Sequence, residues 1–284
     1  MATDNPLERV FSVVVYKDKI QPIVSACKFG KGLENLNRAE GLTIDNSTED
    51  IYVADRENYC VKVFDNYGKI LFKFGDEEGE GKMERPIGVA ICRDRILISV
   101  ETHYIMNYQG NGKFVSRIGK FGKGELEFFH PRGLTFDESN GEVYICDCYN
   151  NRIQIVSREL RFKSQFGQDN LKFPRDVKLS KEFIFILDSM NPCLHLYNYN
   201  HILQKNIISL GAGLDVTYPY FFCIDRSNNI IISDYTSQSI YIFSSHYKLI
   251  HKISITEPNG VTVDNQGRVI VACEGDEQHC LHIF

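Results

Sequence analysis

The sequence predicts an all-β protein: a six-bladed β-propeller closed by an N-terminal strand that completes the last blade. Three observations lead to this prediction. They are a segment that recurs six times, a pattern of strands and turns inside each copy, and a spare strand near the start of the chain. The 284 residues, 43% of them apolar, are enough to bury a large core. We therefore expect one domain that covers residues 1–284.

The repeat is clearest over residues 131–156, which read PRGLTFDESNGEVYICDCYNNRIQIV. Five other segments share its length and apolar pattern. The residues that begin the first strand of each copy are Gly41, Gly88, Gly133, Asp176, Phe221 and Gly260. Their spacing averages about 44 residues, within the range of about 40 to 45 that is typical of a four-stranded propeller blade.

Each copy consists of short apolar stretches of strand length with turn residues between them. In the clearest copy these are GLTF, DESNGE, VYICD, CYNN and RIQIV, followed by a polar hairpin and FKSQFG. Residues that are β-branched or aromatic dominate the apolar positions, and no window shows the sustained period of an amphipathic helix. The pattern predicts four strands in each copy.

The two ends of the chain predict how the ring closes. The sixth copy stops at Phe284, at the end of a third strand, so its outermost strand is missing. The segment KIQPIVSACKFG, residues 19–30, has the pattern of the fourth strands of other copies. We predict that residues from about Ile20 to Lys28 complete the last blade and remove an open sheet edge.

Net charge and its distribution favour some partners over others. The formal charge is -5 and the sequence pI is about 5.9, whereas dedicated nucleic-acid-binding domains usually have a pI above about 9. We expect no DNA partner. Residues 117–181 nevertheless carry 12 Lys plus Arg against 9 Asp plus Glu, so one side of the molecule should be basic.

Cysteine usage and the N-terminus indicate the compartment. The nine cysteines are an odd number without a C-x-x-C pair, so neither a disulfide framework nor a zinc site is predicted. Cys146 and Cys148 alternate as strand neighbours do and should be small buried thiols. The first thirty residues show no signal-peptide pattern, and no apolar run is long enough to cross a bilayer. We expect a soluble, cytoplasmic protein without a membrane partner.

The dense group of polar residues in the clearest copy is predicted to be structural. Asp147 ends the second strand, Asn150 lies in the following loop, and Arg152 enters the third strand. The Asp and Asn can accept hydrogen bonds from turn N–H groups, and the Arg can pair with a nearby carboxylate. Asp recurs at the equivalent position as Asp55, Asp188 and Asp234. A residue needed once for chemistry would not recur in blade after blade.

Function is expected on one face of the ring. In a propeller, the loops that lead into the inner strands and the loops between second and third strands lie around the same end of the central channel, where ligands usually bind. The residue that precedes each inner strand differs from copy to copy: Glu40, Ile87, Arg132, Arg175, Tyr220 and Asn259. We predict a binding surface formed by Glu40, Arg132, Arg175, Tyr220, Asn259 and the nearby loop residue Tyr149.

The residues of the clearest copy also resemble a known family. The stretch GKFGKGELEFFHPRGLTFDESNGEVYICDCYNNRIQIV is similar to an NHL repeat, the blade unit of propellers at the C-terminus of tripartite-motif proteins. The first copy is a good match, and the others keep the spacing but lose the Asn-Arg signature. The resemblance implies a propeller scaffold. No RING or B-box cysteine pattern is present, so the chain could act only as the recruiting arm of a ubiquitin-ligase-like assembly.

Three functions remain open at this point. The first is a non-catalytic platform for a protein or peptide, because Tyr and Arg are enriched at interface hot spots. The second is recognition of single-stranded RNA, which some NHL propellers perform. Against it stand the acidic stretches at residues 76–84 and 273–278, which should lie on the same face.

The third function is that of a metal-dependent lyase or lactonase-like enzyme. Amidating lyases of similar fold have a zinc-binding His after the proline of the repeat, and this chain has none there. Glu40 and Asn259 have oxygen atoms suited to calcium, but a calcium site needs more ligands than two residues supply. We therefore predict no catalytic residue, no metal and no cofactor.

Overall fold

The computed structural model describes residues 22–28, 30–209, 216–274 and 281–284. The regular elements among these residues are antiparallel β-strands and two short 3-10 turns, Arg56–Asn58 and Cys148–Asn150. Loops connect them. The strands, in chain order, are β1 (Val24–Ala26), β2 (Ala39–Ile44), β3 (Ile51–Asp55), β4 (Cys60–Phe64), β5 (Ile70–Phe74), β6 (Pro86–Cys92), β7 (Arg95–Val100), β8 (Tyr104–Gln109), β9 (Phe114–Gly119), β10 (Pro131–Phe136), β11 (Val143–Asp147), β12 (Arg152–Val156), β13 (Phe162–Phe166), β14 (Pro174–Leu179), β15 (Ile184–Asp188), β16 (Cys193–Tyr197), β17 (Leu203–Ser209), β18 (Pro219–Ile224), β19 (Ile230–Asp234), β20 (Ser239–Phe243), β21 (Leu249–Ser254), β22 (Pro258–Val263), β23 (Val269–Cys273) and β24 (Leu281–Ile283). The all-β prediction is confirmed.

The strands form six four-stranded sheets, which are the blades of a propeller. Blades 1 to 5 are β2–β5, β6–β9, β10–β13, β14–β17 and β18–β21, and blade 6 is β22–β24 with β1. The first strand of each blade is the innermost. We call the face that carries the loops between successive blades, together with the loops between second and third strands, the top face. The remaining loops form the bottom face.

Blade 6 is completed from the N-terminus, as the sequence predicts. β1 pairs antiparallel with β24, and the register aligns Val24 with Ile283 and Ala26 with Leu281. The Ile23 N–H adds a further hydrogen bond to the Ile283 carbonyl at 2.7 Å. The predicted strand began at Ile20, which lies outside the described residues.

The core lies between blades rather than within them. Six buried clusters are present among the described residues, and each joins two neighbouring blades. The cluster between blades 5 and 6 also includes Ile87 of blade 2. The cluster that seals the ring packs Ile51 and Phe64 of blade 1 against Ile270 and Leu281 of blade 6. Burial of a large aliphatic or aromatic side chain contributes about 1.5 to 3 kcal/mol. The ring is therefore closed by side-chain packing as well as by β1.

Each inner strand begins with an irregularity in its pairing. The register shifts between Ala39 and Leu42 in blade 1 and between Pro131 and Leu134 in blade 3, and the other four inner strands do the same. In four blades a glycine lies within this irregular segment, because the inner strands of neighbouring blades approach each other closely there. A Cβ on Gly88 would lie 2.5 Å from the Arg132 carbonyl oxygen of the next blade. The repeat spacing thus reflects how tightly the blades meet around the channel.

Candidate functional site

The predicted column of variable residues lies inside these irregular segments, at the top of the central channel. A β-bulge re-aims a side chain that would otherwise follow the alternation of the strand. Glu40, Arg175 and Asn259 are buried, with 8%, 2% and 0% of their surface exposed, and Arg132 and Tyr220 are half-buried. We call these five residues the channel mouth. The column is therefore not the exposed loop surface that the sequence suggested.

Side chains of the channel mouth meet across the ring. Glu40 is on blade 1 and Arg175 on blade 4, three blades away in a ring of six, yet the Glu40 Oε2 and an Arg175 terminal nitrogen are 4.0 Å apart. The Arg175 guanidinium also lies over the Tyr220 ring, 3.4 Å from its centroid, and 5.5 Å from that of Tyr218. Cation–π contacts that are shielded from water contribute about 2 kcal/mol. This stacking fixes the plane of the guanidinium in the channel.

The two arginines of the channel mouth differ in how well their charges are balanced. Burial, followed by repulsion from Arg132, lowers the pKa of Arg175 to about 10. Burial also disfavours the charge of Arg132, but the Glu40 carboxylate, together with smaller contributions from Cys148, Tyr220 and Tyr218, outweighs it, and the pKa of Arg132 is raised. The Glu40 carboxylate thus stabilises the charges of both guanidiniums, but it does not fully offset the cost of burying the charge of Arg175.

Several buried polar atoms of the channel mouth have no hydrogen-bond partner among the described residues. They are the Nε atoms of Arg132 and Arg175, the Oε2 of Glu40, and both amide atoms of Asn259. Buried polar atoms in folded proteins are almost always hydrogen-bonded, and each exception calls for an explanation. The channel mouth therefore has unused hydrogen-bond donors and acceptors.

A charged network borders the channel mouth on blades 1 and 2. Arg56 donates to both carboxylate oxygens of Glu101 at 3.1 Å and to Glu57 at 3.0 Å. Arg85 donates to Glu101 at 3.0 Å. The Nε of Arg56 is also 3.8 Å from Glu40. The charge of Arg56 is therefore largely balanced by its own acidic neighbours.

A cluster of aromatic rings lies beside the channel mouth on the top face. It comprises His103, Phe121, Phe129, His130, Tyr149 and Phe173, from loops of blades 2, 3 and 4. We call it the aromatic patch. Phe121 and Tyr149 are 62% and 47% exposed. Tyr149 stacks on Phe129 with centroids 4.9 Å apart and meets Phe173 edge-on at 4.8 Å. Such geometries stabilise aromatic pairs by about 0.5 to 1.5 kcal/mol beyond their burial.

The surroundings of two histidines in the aromatic patch favour the neutral form. The backbone N–H of His130 donates to the His103 Nδ1 at 3.2 Å, and the centroids of the two rings are 5.1 Å apart. Burial lowers the pKa of both, and for His130 the neighbouring His103 and Arg132 lower it further. A neutral imidazole behaves here as one more aromatic ring. His130 is therefore part of an aromatic cluster.

The loops that carry the aromatic patch are fixed by the polar residues of the repeat. The buried Asp147 accepts the Phe129 N–H at 2.8 Å and an Arg152 Nε–H at 2.7 Å. Arg152 also donates to the Lys123 carbonyl oxygen at 2.7 Å. Asn150 was expected to accept a hydrogen bond from a turn N–H. It donates instead, through its amide nitrogen, to Asp147 and to a loop carbonyl. The structural interpretation of Asp147 and Arg152 is confirmed.

The equivalent carboxylates of other blades have the same role. Asp55 accepts the Asn37 N–H at 2.7 Å, and Asp188 accepts the Lys172 N–H at 2.7 Å. Asp234 likewise accepts two consecutive loop N–H groups at 2.8 Å. All three are fully buried. These aspartates hold the top-face loops and are not available as ligands.

Two neighbouring cysteines of blade 3 are buried. Burial raises the pKa of the Cys148 thiol to about 12 and that of Cys146 well above its usual range, so both thiols stay protonated. Within the described ranges, no group of three or more His, Cys, Asp or Glu residues could hold a metal ion. In the same part of the chain, no helix has the length and apolar character needed to cross a membrane.

Comparison with known proteins identifies the repeat. Residues 36–64 and 128–156 match the family model for the NHL repeat. These segments cover the first three strands of blades 1 and 3, the two copies in which the sequence motif is clearest. The chain is a six-bladed β-propeller that contains two NHL repeats.

Two curated proteins are similar to part of this NHL-repeat chain. The chain is 30% identical over 171 residues to Protein brain tumor of Drosophila melanogaster, a match that covers 56% of the chain and 16% of that protein. It is 26% identical over 147 residues to the B-box type zinc finger protein ncl-1 of Caenorhabditis elegans, covering 49% of the chain and 17% of that protein. The matched regions span about a sixth of the length of these relatives.

Solved structures agree on the fold. A gluconolactonase from Xanthomonas campestris superposes with a TM-score of 0.68 at 14% identity, covering 87% of this chain and 86% of that one. At this identity the likeness concerns the propeller architecture alone, because one propeller scaffold supports many unrelated activities.

Proposed function

We propose that this NHL propeller is a non-catalytic scaffold that binds a protein or peptide partner on its top face. The observation that carries the proposal is the aromatic patch, in which rings from three blades are in mutual contact and Phe121 and Tyr149 remain exposed. Aromatic and Arg side chains dominate the energetics of protein interfaces. The channel mouth lies beside the patch and would form the second part of the same surface.

The charges around the patch favour a polypeptide over a nucleic acid. The loop at residues 120–130 contains two Lys and two Glu. Lys120 pairs with Glu127 at 3.1 Å, and the Glu127 carboxylate also accepts the Lys123 and Gly124 N–H groups. Nucleic-acid backbones are bound mainly by uncompensated Lys and Arg. Here Lys120 is paired within its own loop, and that loop has as many Glu as Lys, so the aromatic patch itself has no excess positive charge. The arginines of the channel mouth are buried or half-buried and do not form an exposed basic track.

Single-stranded RNA is the second candidate, and the same rings are what favours it. Exposed aromatic faces can stack on bases, which contributes about 1 to 3 kcal/mol per base. Phe121 and Tyr149 would provide such faces, and Arg132 lies close by. The acidic stretch at residues 76–84 argues less strongly against RNA than expected, because Asp76 and Glu78 form ion pairs with Lys73 and Lys82.

The relation to tripartite-motif proteins suggests a wider role for the scaffold. One similar protein is named as a B-box type zinc finger protein, and the chain covers 17% of it. We propose that the propeller recruits the partner of a larger, ubiquitin-ligase-like assembly. The top face would then supply the specificity and other parts of the assembly the chemistry.

The test replaces the exposed rings and compares them with a ring elsewhere. Phe121→Ala and Tyr149→Ala should each weaken partner binding about thirtyfold, the effect of losing a hot spot of about 2 kcal/mol. Tyr67→Ala is the matched control, because Tyr67 is 71% exposed but lies in a bottom-face loop. Crosslinking capture from cell extract, scored separately for protein and RNA, identifies the class of partner.

The RNA alternative has its own measurement. Binding of a randomised RNA pool is followed by fluorescence anisotropy at low and physiological salt. Each phosphate contact adds roughly 0.7 to the slope of log affinity against log salt for single strands. Tight binding with a steep slope, lost in the patch variants, would replace the polypeptide proposal with RNA recognition. Hydrolysis of a lactone panel in the presence of calcium would contradict the non-catalytic assignment.

A further inference from the structure

The channel mouth has properties that binding to the aromatic patch does not explain. Glu40, Arg175 and Asn259 are buried, and the first two reach across the ring to within 4.0 Å of each other. A scaffold that used only its exposed rings would have no need of polar side chains in this position. Apolar residues would fill the channel without leaving polar atoms unpaired.

Among the five residues of the channel mouth, two are cationic and one is anionic, so positive charge is in excess. The nearby Glu274 carboxylate is paired with Arg38 at 3.1 Å. Two guanidiniums, of Arg132 and Arg175, share the single carboxylate of Glu40. The third nearby guanidinium, of Arg56, is bonded to Glu57 and Glu101 and does not change this balance. In an environment shielded from water, an uncompensated charge interacts strongly with an incoming opposite charge. An anionic group would therefore be stabilised there and a cationic group would be repelled.

The unpaired atoms indicate which anion fits. The Nε–H groups of Arg132 and Arg175 and the amide N–H of Asn259 are donors without an acceptor among the described residues. Arginine is suited to planar anions, because its donors form a fork that matches a carboxylate. The Asn259 Oδ1 and the Glu40 Oε2 are acceptors that also lack a hydrogen-bond donor there, and a peptide N–H next to a carboxylate could bond to either.

We propose that the channel mouth is a carboxylate-binding site that receives an acidic side chain or the free C-terminus of the polypeptide bound on the aromatic patch. The inference rests on the proposed function and adds the chemistry of the partner. Proximity supports it: Phe173 and Arg175, and likewise His130 and Arg132, are separated by a single proline. Two residues of extended chain span about 7 Å. One peptide can therefore contact the aromatic patch and the channel mouth together.

The experiment uses three fluorescent dodecapeptide pools whose other positions are randomised among uncharged residues. The first has a central Glu and an amidated C-terminus, the second a central Gln and a free C-terminus, and the third a central Gln and an amidated C-terminus. Either or both of the first two pools should bind about tenfold more tightly than the third, as expected for a charge-assisted Arg contact. Comparing them distinguishes a side chain from a chain end.

Two variants then locate the effect in the channel mouth. Arg175→Gln should remove the preference for the carboxylate pools. Glu40→Gln, which is isosteric, should widen the preference several-fold, because it frees both guanidiniums from their internal partner. A gain in affinity cannot result from misfolding, so this second variant tests the inference even if Arg175→Gln is unstable. Tyr149→Ala should weaken all three pools alike.

The outcomes separate the inference from the proposed function. Equal binding of all three pools, or a narrower preference in Glu40→Gln, would overturn the carboxylate site and leave polypeptide binding on the aromatic patch intact. Binding of none of the pools would count against the proposed function. In that case, thermal unfolding with N-acetylglutamate decides the inference: stabilisation that is larger in Glu40→Gln supports the site, and no stabilisation in either protein overturns it.

Discussion

Replacing Arg152 with alanine should destabilise the propeller far more than changes to the exposed top face. Arg152 is 2% exposed, and its Nε donates to the Asp147 carboxylate at 2.7 Å. Its terminal nitrogens donate to the carbonyl oxygens of Lys123, Gly124 and Glu127 at 2.7, 2.8 and 2.9 Å. The substitution therefore leaves a fully buried carboxylate without its counter-charge and three loop carbonyls without these donors.

The size of the effect follows from these contacts. Removal of one partner of a buried ion pair costs about 3 to 5 kcal/mol. For a chain of this length, 1 kcal/mol corresponds to roughly 2 °C in the thermal midpoint, so Arg152→Ala should lower the midpoint by about 6 to 10 °C. Arg152→Lys is the matched control. In blade 1 the position of Arg152 is occupied by Cys60, and Lys62, two residues further along the strand, provides the counter-charge. Its Nζ is 2.9 Å from Asp55 and donates to the Gly32 carbonyl at 2.9 Å. A lysine can therefore balance this buried carboxylate, so the lysine variant should lose less than half as much.

Scanning calorimetry or circular dichroism suits the measurement, because the chain contains no Trp. A midpoint for Arg152→Ala within about 2 °C of the parent would refute the reasoning, since it corresponds to only about 1 kcal/mol. Equal losses in the alanine and lysine variants would show that the fork of carbonyl contacts, rather than the charge, is what the blade requires. The binding assay is then run well below the midpoint, where both variants should still recognise the partner.

Two further predictions concern ring closure and pH. Deleting residues 1–30 should abolish cooperative unfolding or cause aggregation, because it removes β1 and exposes the edge of β24. Deletion of residues 1–19 is the control. An unchanged thermal transition of a monomeric protein in the longer deletion would contradict the closure of the ring by β1. Because burial lowers the pKa of His103 and His130 in the folded state, the unfolded chain binds more protons, and stability should fall as the pH drops below about 6.5. Melting curves between pH 7.5 and 5 test this. In His103→Gln, whose amide oxygen can still accept the backbone N–H of His130, the acid-induced fall of the thermal midpoint should be smaller. A fall equal to that of the parent would show that His103 is not responsible.

Much of the fold could be predicted because the repeat encodes it locally. The spacing of the first-strand residues gave six blades, and the likeness of residues 19–30 to a fourth strand predicted the pairing of β1 with β24. The recurring aspartates could be assigned a structural role, because a residue required in every blade has to serve the backbone. In these cases the information lies within one repeat or in the comparison of one repeat with the next.

The channel mouth and the aromatic patch could be predicted only in part. The variable column was located, but whether Glu40 and Arg175 are exposed depends on a bulge and on the width of the channel, which no single repeat encodes. Their contact joins residues on opposite sides of the ring. The aromatic patch includes Tyr149, which was predicted, and Phe121 and Phe129, which were not. Its rings come from separate loops, and the only sequence signal was an excess of aromatic residues in segments that enter blade 3.

The same aspartate links the aromatic patch to the channel mouth. Asp147 accepts the Phe129 N–H through its side chain, and its backbone is paired with Pro131, the residue before Arg132. The position of a patch ring and that of a channel guanidinium are thus set by one buried residue. A ligand that contacts both would find them already in place, so little ordering would oppose binding. The residues that repeat therefore provide rigidity, and those that vary between blades provide specificity.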